Sequence, residues 1–122
     1  STHAVEAMKE TILKSDDPLT IIAIGPLTNI AILLSTYSEV TDYIKEIVLM
    51  GGSTGRGNVI PLAEFNIYCD PEAAQVVFNS GLPLTMIGLD LAREAMFSHD
   101  FVKSFKNQNE TQIKTHLSKC KR

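Results

Sequence analysis

Hydrophobic residues follow two different patterns along the chain, and the first is a set of three short apolar runs. Residues 19–24, 46–50 and 84–89 are almost unbroken apolar stretches, and each is followed by glycine or aspartate. Short runs rich in β-branched residues are typical of strands that are covered on both faces, as in parallel sheets. We therefore predict three buried strands.

The second pattern is an apolar repeat at helical spacing between and around these runs. Residues 5–13, the segment after Pro26, and residues 71–80 each carry one apolar side, and a further helix is predicted to begin at Ser98 or His99. The helix at 71–80 has the strongest ends, with Asp70 as N-cap and Gly81 after its last turn. Strands that alternate with helices predict an α/β fold with an open, mainly parallel sheet and flanking helices, as one domain over residues 1–122.

The segment at 51–69 has no steady apolar period and is predicted to be a long loop after the second strand. Ligands of open parallel sheets bind at the carboxyl ends of the strands, and long loops there are usually functional. The loop contains Asn58, Glu64 and Asn66, and an extended 64–66 segment would direct Glu64 and Asn66 to one side and Phe65 to the other.

A carboxylate beside two carboxamides can pair with sugar hydroxyl groups, which both donate and accept hydrogen bonds. The alternative interpretation is that Asn58 is a turn residue, Glu64 a solvated acid and Asn66 a cap before the Asp70 helix. The residues alone leave both interpretations open.

Charge and composition exclude several other classes of protein. The net charge of −3 combines −8 over residues 1–100 with a basic tail, and an acidic body argues against nucleic-acid binding. The tail is expected to be a solvated helix face, with an anion-binding arm as the alternative. No apolar run is long enough to cross a membrane and no secretory signal is visible, so a cytoplasmic location is expected.

Common catalytic and binding motifs are absent from the sequence. The glycine cluster at 51–57 lacks the spacing of a dinucleotide fingerprint or a P-loop, although Arg56 keeps phosphate binding as a weaker alternative. The three histidines are isolated and are expected to be surface or capping residues, and no serine-hydrolase motif occurs. Cys69 and Cys120 are far apart in sequence and are expected to be reduced structural cysteines.

Four motifs in order resemble the inosine-uridine preferring nucleoside hydrolase family. They are LTIIAIGPLTNIA, EIVLMGG, the N-x5-E-F-N-x3-DPEAA segment, and SGLP-x-TMIGLDL, within a match that covers about residues 4–100 almost continuously. The resemblance implies an enzyme that splits ribonucleosides into base and ribose, and a tendency to form homo-oligomers. It also implies a pocket with one Ca²⁺, which polarises the water that attacks the anomeric carbon of the ribose.

The resemblance also implies roles for individual residues. Asn58 and Glu64 would bind the 5′ end of the ribose, Asn66 would bind its lower hydroxyls, and Met50 would pack against the sugar, with Phe65 in the same site. The backbone carbonyl of Ile24 would be a calcium ligand, a role that any side chain permits.

Parts of the family pattern are missing. The aspartate-rich DxDxxxDD opening and the late His-Asp pair do not occur, Ala92 replaces the usual threonine, and His99-Asp100 is interpreted as a helix cap. We therefore expect the chain to be the central portion of such a domain, without its first and last thirds. On its own it should neither hydrolyse nucleosides nor bind calcium tightly. The alternative is a non-catalytic sugar-binding or assembly module.

Overall fold

The computed structural model describes residues 2–98. These residues form three strands, five α-helices and one 3-10 helix, in the order α1 (Ala4–Leu13), β1 (Leu19–Ala23), α2 (Thr28–Thr36), the 3-10 helix (Ser38–Tyr43), β2 (Ile44–Met50), α3 (Phe65–Cys69), α4 (Pro71–Phe78), β3 (Leu84–Ile87) and α5 (Leu89–Glu94).

The three strands form one open parallel sheet in the order β1-β2-β3, which confirms the predicted fold class. Ala23 of β1 pairs with Leu49, and Met50 of β2 pairs with Ile87 of β3. The carboxyl ends of all three strands therefore lie together at one edge of the sheet.

Helices α1, α2 and α4 pack together against one face of this sheet. A strand order that advances in one direction through right-handed crossovers places the connecting helices on the same face. The core on that face combines α1, α2, β2 and α4, and its most deeply buried side chains are Leu27, Leu33, Val40, Ile47, Leu49 and Val77.

The expectation that the first strand is covered on both faces is wrong for this part of the chain. Leu19, Ile21 and Ala23 pack against the core, whereas Ile22 is 70% exposed and Ile24 is 82% exposed. The apolar run correctly identified a strand, but residues 2–98 supply cover for only one of its two sides.

Local hydrogen bonds explain where the helices begin. The side chain of His3 accepts from the Val5 N–H as the N-cap of α1, which confirms a capping role for this histidine. Asp70 accepts from the Ala73 N–H and caps α4, with Pro71 in the first turn, as predicted. α2 begins at Thr28, two residues after Pro26.

Two further predictions are corrected around the sheet edge. The predicted loop at 51–69 ends in a helix, because Glu64 caps the short α3. The predicted third strand at 84–89 stops at Ile87, and Leu89 already belongs to α5. The 3-10 helix before β2 was not anticipated from the sequence.

Other predictions concern the chain ends and the cysteines. The helix expected to carry Phe101, Val102 and Phe105, and the cap at His99-Asp100, lie outside the described residues. Cys69 is a free, exposed cysteine, which fits a reduced state more than a structural role. None of the helices formed by residues 2–98 has the length and hydrophobicity of a transmembrane span.

Candidate functional site

The candidate site lies in the segment that follows β2 at the carboxyl edge of the sheet. Gly51 donates to the Ile87 carbonyl (3.2 Å), and the Gly52 carbonyl accepts from the Leu89 N–H (2.8 Å). Gly52 has a φ of 72°, a conformation that glycine adopts without strain. The chain therefore leaves β2 at a turn that is bonded to the end of β3 and the start of α5.

Glu64 is buried in the middle of this site, with 3% of its surface exposed. Its carboxylate accepts hydrogen bonds from the Asn66 N–H (2.9 and 3.0 Å) and the Ile67 N–H (3.3 Å), which makes it the N-cap of α3. The same carboxylate accepts from the Gly52 N–H at 3.0 Å. Glu64 thus joins the start of α3 to the turn after β2.

Asn66 is the second buried polar residue of the site, with 8% of its surface exposed. Its Nδ2 donates to the Met50 carbonyl at 2.9 Å and lies 3.5 Å from the Met50 sulfur. Its Oδ1 has no hydrogen-bond partner among residues 2–98.

Asn58 is exposed and lies where the loop approaches α3. Its Oδ1 accepts from the Phe65 N–H at 2.8 Å, while its backbone N–H donates to the Ala63 carbonyl at 3.0 Å. Within the described part of the chain its Nδ2 has no partner. Asn58 therefore presents an amide donor close to the N-terminus of α3.

The structure brings together most of the residues that the sequence singled out. Hydrogen bonds connect Met50 with Asn66, and Asn58 with the backbone of Phe65, whose ring is 52% exposed. The register of β1 on β2 puts Ile24 level with Met50, one residue beyond the end of β1. Within residues 2–98, no hydrogen bond joins Ile24 to the other site residues that the sequence singled out.

The local geometry differs from both sequence interpretations of 64–66. Glu64 is extended but Asn66 is helical, so the two side chains do not alternate along a strand as predicted. Glu64 is buried and is not a solvated acid, and Asn66 is not the cap of α4, because Asp70 has that role. Both polar side chains instead lie at the start of a helix that the sequence did not reveal.

Asp90 and Arg93 of α5 also contact the loop and were missed by the sequence analysis. Asp90 accepts from the Thr54 N–H at 2.8 Å and from the hydroxyls of Ser53 and Thr54. The Thr54 N–H is the largest cause that holds the pKa of Asp90 below its usual value. An acid directly after the third apolar run, at the same sheet edge, was the available signal.

The phosphate-binding alternative loses support from these contacts. A phosphate loop needs free backbone N–H groups, but those of Gly52 and Thr54 donate to the carboxylates of Glu64 and Asp90. The side chain of Arg56 makes no hydrogen bond within residues 2–98. The loop already binds two internal anions, and a phosphate would have to displace them.

The described residues do not form a complete metal site. No group of three or more His, Cys, Asp or Glu side chains lies together between residues 2 and 98. Calcium takes six to eight oxygen ligands, so the Ile24 carbonyl would need most of its partners from elsewhere.

A parallel sheet whose carboxyl edge carries a hydrogen-bonded polar loop, with the buried Glu64 and Asn66 after it, is the arrangement in which open α/β proteins bind small molecules. The model of the family "Inosine-uridine preferring nucleoside hydrolase" matches residues 1–122, and the chain belongs to this family. The motif resemblance and the predicted fold class are thus both confirmed.

Individual relatives differ in the specificity that their names state. The chain is 54% identical over 100 residues to the pyrimidine-specific ribonucleoside hydrolase RihA of Shewanella oneidensis, which covers 82% of the chain. It is 51% identical over 105 residues to the non-specific ribonucleoside hydrolase RihC of Salmonella newport, which covers 86% of the chain. The structure of a purine-preferring ribonucleoside hydrolase from Gardnerella vaginalis superposes with a TM-score of 0.81 at 39% identity over 88% of the chain.

The chain is much shorter than these proteins. It spans 31% of the Shewanella oneidensis relative, 34% of the Salmonella newport relative and 34% of the Gardnerella vaginalis structure. The activity and substrates of a whole enzyme are therefore a matter for proposal.

Proposed function

We propose that this chain forms the ribose-binding part of a ribonucleoside N-ribohydrolase. The observation that carries the proposal is the buried Asn66, which is fixed on the Met50 carbonyl while its Oδ1 has no partner in the described residues 2–98. A buried acceptor held in place at the carboxyl edge of a parallel sheet is suited to a sugar hydroxyl. Asn58 offers an amide donor from the adjacent loop.

The reaction would add water across the glycosidic bond of a ribonucleoside. The bond between the anomeric carbon and the base nitrogen breaks, the water oxygen bonds to the anomeric carbon, and the base leaves with a proton. The ribosyl group carries positive charge in the transition state, so fixed hydroxyl contacts that hold its ring geometry accelerate the reaction. In this scheme Asn58 and Asn66 orient the ribose, and Met50 and Phe65 exclude water from its apolar side.

We propose a role for Glu64 that is broader than the ribose binding that the resemblance implies. Its carboxylate already accepts from three backbone N–H groups, so its first effect is to set the positions of Asn66 and the turn after β2. A remaining lone pair can still accept from the 5′ hydroxyl of the ribose. We propose both roles for this residue.

The named specificities of the relatives support a ribose site in this segment. Relatives described as pyrimidine-specific, non-specific and purine-preferring each match more than four fifths of the chain, at 82%, 86% and 88%. A segment that proteins with different base preferences have in common is best suited to bind the portion common to their substrates. That portion is the sugar.

The remaining partners are also proposals. We propose calcium as the metal of the whole enzyme, with the Ile24 carbonyl among its ligands, and a homo-oligomer as its assembly. The cytoplasmic location expected from the sequence stays a prediction.

The test is release of free ribose from uridine and inosine by the protein encoded in the reading frame that contains this chain. We expect ribose from both nucleosides. In Asn66→Ala we expect kcat/KM to fall at least about tenfold, which corresponds to about 1.4 kcal/mol of lost transition-state stabilisation. Gln75→Ala, an exposed position on α4, is the matched control. No ribose release by the unmodified protein would contradict the proposal.

A non-catalytic sugar-binding module is the second candidate, favoured by the lack of a metal-ligand cluster within residues 2–98. It predicts that uridine, inosine and ribose raise the melting temperature while none of the nucleosides is cleaved. Stabilisation by inorganic phosphate alone would support neither candidate.

A further inference from the structure

The loop at 52–57 is held from outside by two side chains of α5, and neither belongs to the ribose site proposed above. Asp90 contacts the first half of the loop, through the Thr54 N–H (2.8 Å), the Thr54 hydroxyl (3.1 Å) and the Ser53 hydroxyl (3.2 and 3.3 Å). One carboxylate therefore orders two successive residues of a segment without regular secondary structure.

Arg93 contacts the second half of the same loop. Its Nη1 donates to the Arg56 carbonyl at 3.0 Å, and its Nη2 donates to the Gly57 carbonyl at 3.1 Å. The planar guanidinium group binds two adjacent carbonyls at once, which fixes direction as well as distance. Asp90 and Arg93 are three residues apart on one helix, so both reach the loop from the same side.

Arg93 influences the position of Asn58 through Gly57, the residue that precedes Asn58 in the chain. Gly57 donates its N–H to the Pro61 carbonyl at 2.9 Å, and a Cβ at Gly57 would lie 2.2 Å from the Ala63 carbonyl oxygen. With Gly57 so closely enclosed, a shift of its carbonyl moves the next peptide and hence Asn58. The Asn58 side chain in turn bonds the first residue of α3, Phe65.

We propose that Asp90 and Arg93 are positioning residues that set the conformation of the 52–57 loop and, through Gly57, the place of Asn58 in the ribose site. The inference rests on the proposed function, because Asn58 matters to catalysis only if the loop binds ribose. Arg93 contributes no atom to the substrate and acts through two backbone carbonyls.

The exposure of Arg93 makes this role separable from stability of the fold. Arg93 lies on the surface, outside the buried core cluster, so its removal leaves that core intact. A substitution that only unfolds part of the protein lowers kcat by lowering the active fraction, and the KM of the remaining molecules is unchanged. A displaced Asn58 raises KM, since a contact with the sugar is weakened.

The experiment compares Arg93→Ala, Arg93→Lys, Asp90→Asn and the control Arg56→Ala in the protein encoded by the reading frame that contains this chain. Arg56→Ala removes the same charge from the loop itself but retains the carbonyl that Arg93 binds. We expect a fall in kcat/KM of about ten- to a hundredfold for Arg93→Ala with uridine and inosine, mostly through KM. We expect partial recovery in Arg93→Lys, which can still donate to one carbonyl, and no change in Arg56→Ala.

Amide hydrogen exchange is the second readout, and it does not depend on activity. The Gly57 and Asn58 amides should exchange at least about tenfold faster in Arg93→Ala and the Thr54 amide faster in Asp90→Asn, with α4 unchanged. Unaltered exchange at Gly57 and Asn58 would overturn the inference, as would an unchanged KM in Arg93→Ala. If Asn66→Ala is also without effect on hydrolysis, the proposed function fails instead, while the exchange result still decides the positioning role.

Discussion

Replacing Glu64 with alanine should destabilise the fold strongly, because one buried carboxylate holds three backbone N–H groups. Loss of an N-cap costs about 0.5–2 kcal/mol. The half-buried N–H of Gly52 also loses its acceptor, which costs about 1 kcal/mol more. The sum is about 2 kcal/mol, a substantial part of the about 5–15 kcal/mol that stabilises a typical domain.

Urea denaturation followed by circular dichroism measures this loss, with Glu72→Ala as the matched control. Glu72 is an exposed acid in the first turn of α4, and its removal should lower the free energy of unfolding by only about 0.5 kcal/mol. Glu64→Gln should fall between them, since an amide oxygen in the place of Oε2 can accept from all three N–H groups, while the NH₂ group in the place of Oε1 opposes the Asn66 N–H. An unfolding midpoint of Glu64→Ala equal to that of Glu72→Ala would refute the structural role of Glu64.

Three further predictions concern the 52–57 loop, the N-cap of α4 and calcium binding. Gly57→Ala should disorder the loop and speed exchange of the Asn58 amide, because its Cβ would lie 2.2 Å from the Ala63 carbonyl oxygen, whereas Gly25→Ala meets nothing within 4 Å and should not. Hydrogen bonds from Thr28 and then Ala73 lower the pKa of Asp70, so its stabilisation is complete above the ordinary aspartate pKa of about 4 and is lost as the pH falls through the lower folded value. The melting temperature of Asp70→Asn should therefore approach that of the wild type on acidification, and a constant difference between about pH 6 and pH 3 would contradict this. Titration calorimetry of the 122-residue chain with Ca²⁺ should show no tight binding, and a submicromolar Kd would contradict the ligand count.

The sequence predicted the sheet well because its signals are local. Runs at 19–24 and 46–50 consist mostly of apolar and β-branched residues that favour buried strands, and Asp70-Pro71 marks a helix start whatever surrounds it. Exposure of Ile22 was not predictable in the same way. Which face of a strand is covered depends on the order of the strands and on elements distant in sequence.

The site was predicted in its residues but not in its geometry. Asn58, Glu64 and Asn66 were recognised as a polar group after β2, yet α3 was missed because a five-residue helix is too short to show an apolar period. The contacts of Asp90 and Arg93 join residues about 36 apart in the chain. These contacts form because β2 and β3 end at the same edge of the sheet. The spacing of residues in the sequence does not predict which strands are neighbours.

We propose that the loop after β2 and the start of α3 bind the sugar and not the base of a ribonucleoside. The most direct measurement is kcat/KM of Asn58→Ala and Asn66→Ala on uridine and on inosine, in the protein encoded by the reading frame that contains this chain. We expect kcat/KM of each variant to fall about tenfold or more. The factor should be the same for both nucleosides, since the ribose is common to them. A loss confined to one nucleoside, or none with either, would contradict the claim.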